Sequence, residues 1–215
     1  MSKPPKAENF FIDGPAGKLE ALLESPRETS ATGAAVVCHP HPEHGGTMQN
    51  KVAHTLARAF TAKGFSTLRF NFRGVGLSEG TFDEGKGELQ DALAAVHTIR
   101  KREGDSELWV AGFSFGAAIA IRAAAEAGAD GLVSVAPAIS RVTDEPGRQP
   151  DCPWLVVQGD RDDLVDVADT IAWVNALAPG PELVIFEGTE HYFHGKLVKL
   201  RHTVEGFIDE QRAEN

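Results

Sequence analysis

A serine flanked by glycines stands at a predicted turn from a strand into a helix. The segment Gly112-Phe113-Ser114-Phe115-Gly116 follows a short apolar run and opens a run of small residues. A strand that turns sharply into a helix exposes one side chain, and small flanking residues such as Gly112 and Gly116 let the neighbouring elements approach. Ser114 would then lie at a helix N-terminus, where backbone amides favour a developing negative charge. The pattern predicts a nucleophilic serine; the alternative is a packing turn with an inert serine.

A serine hydroxyl is a weak nucleophile without a base, and two histidines follow the last predicted strand. His191 and His194 both lie in the segment after residues 183–186. His191 comes nearer to the end of that strand, so we expect it to accept the serine proton. We expect His194 to be a surface residue or a neighbour of the base.

Three aspartates compete for the carboxylate that would orient this base and stabilise its imidazolium form. Asp160, Asp162 and Asp163 all follow a predicted strand, which places them at the carboxyl edge of the sheet. The spacing G-x-x-D-x-x-V, with Gly159 before and Val165 after, favours Asp162. We expect Asp160 to shape the loop and Asp163 to cap the next helix. The chain order serine, aspartate, histidine is one in which such triads occur.

Cleavage of an acyl bond also needs two N–H groups that stabilise the oxyanion. The backbone N–H of Phe115, directly after the serine, is one candidate. The other should come from the loop after the first buried strand, which begins His39-Pro40-His41-Pro42. Because proline has no N–H, the backbone of His41, held between two stiff residues, is the natural second donor.

The same loop offers a different possibility, a metal site. His39, His41 and His44 are close in sequence, and histidine binds zinc readily. No acidic or cysteine partner lies at a convincing spacing. We therefore expect no metal at this loop, and nothing elsewhere in the sequence calls for a cofactor.

A glycine-rich loop after the second buried strand could suggest nucleotide binding. Gly74 and Gly76 match the start of the pattern G-x-G-x-x-G, but Glu79 stands where the third glycine is required and no helix begins at once. We therefore expect this loop to lie beside the site without binding a nucleotide, with Arg73 as a structural anchor.

Alternating strands and amphipathic helices are predicted to position these residues. An antiparallel hairpin over residues 10–13 and 19–24 comes first. Strands are predicted for residues 34–38, 66–72, 107–113, 131–136, 154–157 and 183–186, and helices from Asn50 to Lys63-Gly64 and over 85–101, 114–127, 164–178 and 196–210. This alternation is typical of a parallel sheet covered by helices on both faces. The irregular connection 138–152 is too short for a helical lid, so we expect one domain over residues 1–215.

Composition narrows the range of partners. The 215 residues carry a formal net charge of −10 and a pI of about 5.2, which argues against a nucleic acid partner. No apolar run approaches the ~20 residues of a membrane span, and the polar N-terminal segment is unlike a signal peptide. The chain has only two cysteines, Cys38 and Cys152, which we expect to stay unpaired in a cytoplasmic setting.

Taken together, these motifs resemble the α/β-hydrolase superfamily and, within it, a subgroup of small bacterial serine hydrolases without a lid. The subgroup's His-Pro-His-Pro loop, Gly-Gly-Thr-Met and Asn-Lys-Val segments, Asn-Phe-Arg-Gly-Val-Gly loop and Gly-Phe-Ser-Phe-Gly turn all occur between Cys38 and Ala120. The resemblance covers nearly the whole chain after Phe10. It implies an α/β-hydrolase fold with a mostly parallel central sheet, helices on both faces, antiparallel first strands and no cap domain.

The residues and the resemblance together predict a serine hydrolase that cleaves small acyl esters through an acyl-enzyme. Ser114 would attack the carbonyl, and His191 would accept its proton and later activate water. Without a lid the pocket should be shallow and favour short acyl chains. The aromatic candidates for an apolar wall are Phe82, Phe113, Phe115 and Tyr192. Thioesters and small amides are alternative substrates, and a non-catalytic binding protein that keeps the fold is the alternative from a different class.

Overall fold

Short runs of apolar residues, buried on both faces, form the centre of one sheet. Its strands are β1 (Lys6–Gly14), β2 (Gly17–Ser25), β3 (Gly33–Cys38), β4 (Phe65–Phe70), β5 (Leu108–Phe113), β6 (Gly131–Val135), β7 (Trp154–Gly159) and β8 (Glu182–Phe186). Every residue of the five strands β3 to β7 is buried, which is typical of strands covered by helices on both sides. The computed structural model describes residues 5–27, 30–143 and 148–214.

The order of the strands brings the ends of distant segments together. They lie in the order β1-β2-β4-β3-β5-β6-β7-β8. β1 pairs antiparallel with β2 and β2 antiparallel with β4, whereas the remaining neighbours are parallel. Parallel strands end at the same edge of a sheet, so the loops that follow β3, β5, β7 and β8 gather there.

Helices cover both faces of the sheet. Those described are α1 (Lys51–Ala62), α2 (Lys86–Glu103), α3 (Phe115–Ala127), α4 (Ile139–Thr143), α5 (Val167–Asn175) and α6 (Leu197–Glu214). Leu89 of α2 and Ile119 of α3 belong to the core on one face, and Leu56 of α1 and Val204 of α6 to the core on the other. Within the described ranges, no helix combines the length and apolar character needed to cross a membrane.

Most of the predicted elements are confirmed, with ends that differ by a few residues. The N-terminal hairpin is antiparallel, and its strands are longer than predicted. Asn50 caps α1 as predicted, because its Oδ1 accepts a hydrogen bond from Val52 N–H at 2.9 Å. The fold is therefore the predicted α/β-hydrolase arrangement, a mostly parallel sheet between two layers of helices.

Two local predictions are wrong. The cap of α5 is Asp166, whose side chain accepts from Ala168 N–H at 2.7 Å, and not Asp163, which is exposed. The helix begins late because Asp162 Oδ1 accepts from Val165 N–H at 2.8 Å and holds a turn ahead of it. The connection 138–152 is also not irregular throughout, since α4 occupies part of it.

A buried histidine joins the loops that follow β3 and β4. The backbone N–H of Phe72 donates to His39 Nε2 at 3.0 Å, and His39 Nδ1–H donates to the Pro40 carbonyl at 2.6 Å. Burial lowers the pKa of His39 to about 4, and the hydrogen bond to Pro40 opposes this only in part. The imidazole is thus neutral at neutral pH, and both of its nitrogens have partners.

The loop after β4 is held by a buried ion pair, as predicted for Arg73. Asp91 of α2 has no exposed surface, and its Oδ1 accepts from Arg73 Nη2 at 2.8 Å. Its Oδ2 accepts from both Nε and the backbone N–H of Arg73, each at 3.0 Å. Arg73 Nη2 also donates to the Gly87 carbonyl at 2.8 Å. These contacts fix the loop against α2.

We expect Asp91→Asn to lower the free energy of unfolding by roughly 3–5 kcal/mol, because it leaves the buried guanidinium of Arg73 without its counter-charge. Urea unfolding followed by circular dichroism measures this loss. The matched control is Glu8→Gln, which breaks an exposed pair with Arg102 and should leave stability nearly unchanged. Similar losses in the two variants would contradict the role given to the buried pair.

We expect stability to depend on pH through His39. Unfolding exposes the ring and returns its pKa to about 6.5, so the unfolded chain binds a proton that the folded chain does not. Above pH ~6.5 the ring is neutral in both states and does not lower the free energy of unfolding. As the pH falls from ~6.5 towards ~4, protonation of the unfolded chain lowers the free energy of unfolding by roughly 1.4 kcal/mol per pH unit. Urea unfolding from pH 7 to 4 should show a shallower dependence in His39→Asn. His97→Asn, on an exposed position of α2, is the control and should keep the wild-type slope.

Candidate active site

Ser114 occupies the turn between β5 and α3 in a backbone conformation that residues other than glycine rarely adopt. Its φ is 55° and its ψ is −118°. The turn is held from both sides, since Ser114 N–H donates to the Val135 carbonyl at 2.9 Å and its own carbonyl accepts from Ala117 N–H at 3.0 Å. A positive φ in a non-glycine residue is uncommon and strained, and such strain is often found at functional sites. The side chain is only partly buried, so the hydroxyl is accessible.

Close backbone contacts explain the two glycines beside Ser114. A Cβ added at Gly112 would overlap the carbonyl of Gly116, and a Cβ added at Gly116 would overlap the carbonyls of Cys38 and His39. These neighbours are backbone atoms and cannot move aside as a flexible side chain could. Glycine at position 112 therefore lets the first turn of α3 fold closely against the end of β5, and glycine at position 116 lets it pack against the end of β3.

The structure brings Ser114 together with the predicted histidine. His191 lies in the loop between β8 and α6, and its Nε2 is 3.1 Å from Ser114 Oγ. Its Nδ1 is 2.7 Å from Asp162 Oδ2, and the ring packs against Phe113 with centroids 4.9 Å apart. An ionised carboxylate can only accept a hydrogen bond, so the Nδ1 that faces it must carry a proton. Nε2 of the neutral ring is then unprotonated and accepts the hydrogen bond of the serine hydroxyl. In this tautomer the imidazole is set to remove the serine proton.

Asp162 is held as an ionised carboxylate. Burial raises its pKa, but the hydrogen bonds from His191 and from the backbone N–H groups of Val165 and Leu164 outweigh this, and the pKa is lowered overall. Those backbone groups donate to Oδ1 at 2.8 and 2.9 Å. A negative charge beside Nδ1 would stabilise an imidazolium at His191.

The rival residues of the sequence analysis lie away from Ser114. Asp160 shapes the loop as expected, since its Oδ1 accepts from Thr189 N–H at 3.3 Å and joins the two loops. His194 is exposed and pairs with Glu190 on the surface. Asp163 is exposed as well. None of the three has a described contact with the serine.

The two predicted oxyanion donors lie on adjoining segments. Phe115 is the first residue of α3, and the loop after β3 folds so that the His41 carbonyl accepts from Gly46 N–H at 3.0 Å. The two side chains are in contact, with ring centroids 5.0 Å apart. Among the described residues, neither backbone N–H donates to a protein acceptor.

The rim of the site differs in part from the predicted aromatic wall. Phe82 contacts Phe115 at 5.8 Å between centroids, and Tyr192 is exposed beside His191. Phe113 and Phe115, in contrast, are both fully buried, and the Phe113 ring packs against the imidazole from inside the core. The prediction that these two rings line an open pocket is therefore wrong.

Arg141 is a residue of the rim that sequence reasoning missed. It lies on α4, with its guanidinium 5.3 Å from the Phe115 ring and its Nη2 3.4 Å from His41 Nε2. Burial, then the charges of His44 and Arg141, lower the pKa of His41. Arg141 also lines a cleft of about 390 Å³ with Glu84, among other residues. The connection 138–152 carries two arginines, Arg141 and Arg148, and no motif singles out either of them, so the sequence gave no signal.

The geometry of the His-Pro-His-Pro loop gives no support to a metal site. Within the described part of the chain, no three His, Cys, Asp or Glu residues are grouped as ligands would be. Both ring nitrogens of His39 are engaged, and the rings of His41 and His44 are stacked 4.2 Å apart. Stacked rings cannot direct their nitrogens at a common ion.

Comparison with known proteins agrees with this architecture. The solved structure of XC6422 from Xanthomonas campestris, described as an α/β serine hydrolase without a lid, is 38% identical, with a TM-score of 0.90 over 98% of this chain and 97% of that one. The uncharacterized protein RP471 of Rickettsia prowazekii is 30% identical over 93% of this chain and 87% of its own. Esterase EstD of Thermotoga maritima is 28% identical over 60% of this chain but only 32% of its own. Residues 29–148 match the family described as Serine aminopeptidase, S33. The chain therefore belongs to that family of α/β-hydrolases.

Proposed function

We propose that this protein hydrolyses small acyl esters through an acyl-enzyme on Ser114. Ser114 Oγ bonds to the carbonyl carbon while His191 Nε2 accepts the hydroxyl proton. The N–H groups of His41 and Phe115 stabilise the oxyanion, and donors of this kind each contribute roughly 3 kcal/mol to lowering the barrier. His191 returns the proton to the leaving alcohol as the ester C–O bond breaks. It then takes a proton from water, whose attack releases the acid and restores the serine.

The observation that carries this proposal is the continuous hydrogen-bonded chain from serine to carboxylate. Ser114 Oγ, His191 and Asp162 are linked by contacts of 3.1 and 2.7 Å. Ser114, whose backbone is strained, would supply the hydroxyl, and the buried ring of His191 would supply the base. Asp162, a carboxylate with a lowered pKa, would supply the counter-charge. A protein that only binds a ligand has no need for this combination, which is why we place catalysis ahead of the binding alternative.

Two observations favour an ester of small size. The partial match to an esterase, EstD, supports the ester as the substrate class. The connection between β6 and β7 carries only the short helix α4 among its described residues, so little of it can cover a long acyl chain. Because Phe113 and Phe115 are fully buried, only Phe82 and Tyr192 of the aromatic candidates are left to form an apolar wall.

An amide or peptide bond is the second candidate, because the matched family is described as a serine aminopeptidase. The same three residues can cleave esters, thioesters and amides, so the chemistry alone does not separate them. Parallel assays with p-nitrophenyl butyrate, butyryl-coenzyme A and alanine p-nitroanilide compare the three bonds. A higher kcat/KM for the anilide would replace the ester in this proposal.

We expect Ser114→Ala to lower the turnover of p-nitrophenyl butyrate by a factor of roughly 10⁴ or more, because the nucleophile is lost. A fluorescent phosphonate should label one serine per wild-type chain and should not label the variant. Peptide mass spectrometry locates the label. A wild-type protein that neither turns over any ester nor reacts with the phosphonate would instead support the binding protein.

Neighbouring residues of the same type supply matched controls for that experiment. Asp162→Asn and His191→Gln should reduce kcat by a factor of roughly 10³–10⁴. Asp163→Asn and His194→Gln change the same chemical groups on the nearby surface and should leave kcat within about twofold of the wild type. Loss of activity in the surface variants instead would mean that the triad has been assigned to the wrong residues.

We expect kcat/KM for p-nitrophenyl esters to be highest for acetate to butyrate and to fall towards laurate. Each buried methylene is worth about 0.8 kcal/mol, but an open rim leaves the far methylenes in water, where they add no binding energy. Initial rates below the micelle-forming concentration of each ester measure the preference. A steady rise in kcat/KM up to laurate would show that the site holds a long chain.

A further inference from the structure

A buried glutamine stands among the apolar residues of β7 and contacts the proposed acid. Gln158 has no exposed surface. Its Nε2 donates to Asp162 Oδ2 at 3.0 Å and to the Val165 carbonyl at 3.1 Å. Asp162 Oδ2 is the same oxygen that accepts from His191 Nδ1 at 2.7 Å. Two side-chain donors therefore share one carboxylate oxygen.

The surroundings of the Gln158 amide determine which of its ends faces the carboxylate. Three acceptor oxygens lie within 3.3 Å of Nε2, from Asp162 Oδ2 and the carbonyls of Val165 and Gly159. The flipped amide would place its own carbonyl oxygen against these three acceptors, and no hydrogen bond could form. The N–H end must therefore face Asp162.

This orientation leaves the other end of the amide without a partner. Among the described residues, no group donates a hydrogen bond to Gln158 Oε1, although the atom is buried. An unpaired buried acceptor lowers stability, and an apolar side chain of similar shape would avoid that loss. Packing alone thus gives no reason for glutamine at this position. The N–H contacts with Asp162 and with the Val165 carbonyl do give one, and both hold the segment that carries the carboxylate.

We propose that Gln158 is a positioning residue, whose N–H holds Asp162 Oδ2 towards His191 and shares the charge of that oxygen. This inference rests on the proposed function. Asp162 Oδ1 is already held by two backbone N–H groups, at 2.8 and 2.9 Å, so Gln158 completes the set of donors around the carboxylate. A shared negative charge attracts the imidazolium of His191 less strongly. Without this N–H, the backbone would hold the carboxylate through Oδ1 alone, and Oδ2 could turn away from His191 Nδ1.

The variant Gln158→Met tests this, because methionine keeps the length of the side chain and removes the N–H donor. We expect kcat for p-nitrophenyl butyrate to fall roughly tenfold, as for the loss of one hydrogen bond to a charged group, with KM unchanged. We expect the acidic limb of the pH profile of kcat/KM to move to higher pH, because Asp162 then holds the imidazolium more firmly.

The isosteric variant Gln158→Glu provides a rescue that a packing role would not predict. When the introduced carboxyl group is protonated, its O–H can donate to Asp162 Oδ2, whereas the ionised form would repel that oxygen. We therefore expect the activity of this variant, relative to the wild type, to recover as the pH is lowered. This variant also carries the test if Gln158→Met fails to fold. If the activity of Gln158→Glu relative to the wild type does not change with pH, the inference is overturned.

The control variant is Ser134→Ala, which removes a buried hydrogen bond from the same sheet without touching Asp162. Ser134 Oγ accepts from Trp154 Nε1 at 3.0 Å. We expect this variant to lose stability in urea unfolding but to keep the wild-type kcat and pH profile. If Gln158→Met keeps both as well, Gln158 only packs and the inference is wrong.

A measurement without substrate separates this inference from the proposed function. Proton NMR detects the Nδ1–H of His191 as a far-downfield resonance when it donates to a carboxylate. We expect Gln158→Met to move this resonance further downfield and Ser134→Ala to leave it in place. A wild-type protein without hydrolase activity would refute the proposed function, and the resonance would still report whether Gln158 acts on Asp162. Ser114-dependent hydrolysis with an unmoved resonance in Gln158→Met would refute the inference alone.

Discussion

The close contact between the first turn of α3 and the end of β3 is the constraint on which the site depends. Because Gly116 has no side chain, the carbonyls of Cys38 and His39 can lie directly against the helix. This contact brings the N–H of Phe115 and the loop that carries His41 into one region. It also fixes Ser114 at the edge of the sheet where the loops that follow β7 and β8 begin. A helix displaced by even one methyl group would separate the hydroxyl from both sets of partners.

Buried polar contacts hold the loops around this point more firmly than apolar packing alone could. A neutral His39 bonds the loop after β3 to that after β4, and the pair of Arg73 and Asp91 anchors the latter on α2. Each of these groups is satisfied only in one arrangement of the loops, since a buried polar group without its partner is costly. Apolar contacts have no preferred direction, whereas each of these hydrogen bonds requires a particular distance and angle. Precision at the site therefore comes from polar contacts.

Sequence reasoning reached the fold and the three residues of the chain Ser114–His191–Asp162 for a physical reason. Parallel strands deliver their following loops to one edge, and the glycine pattern marks the turn there, so the order of elements already implies which loops meet. The cap of α5 was misplaced because Asp163 and Asp166 have the same capping chemistry. Only the turn made by Asp162 decides between them. A local sequence pattern does not show that Asp162 forms this turn, so it cannot decide between the two caps.

The roles that sequence reasoning missed depend on contacts between distant parts of the chain. The pKa of His39 is far below its usual value because the loops bury the ring. Its Nε2 accepts a hydrogen bond from the backbone N–H of Phe72, which is distant in sequence. Arg141 meets His41 only when the segment after β6 folds back over α3. Gln158 did leave a signal, a polar residue within an apolar strand, but its partner could be identified only once the carboxylate had a position.

The backbone at Ser114 shows what the chain gives up to present a hydroxyl there. A glycine would adopt the same φ of 55° without the strain of a side chain, which is of order 1–3 kcal/mol. Selection for stability alone would therefore favour the loss of the serine. A strained side chain at such a position is typical of a trade-off between stability and activity. Of the four described non-glycine residues with a positive φ, Ser114 is the one whose hydroxyl lies within hydrogen-bonding distance of His191 Nε2.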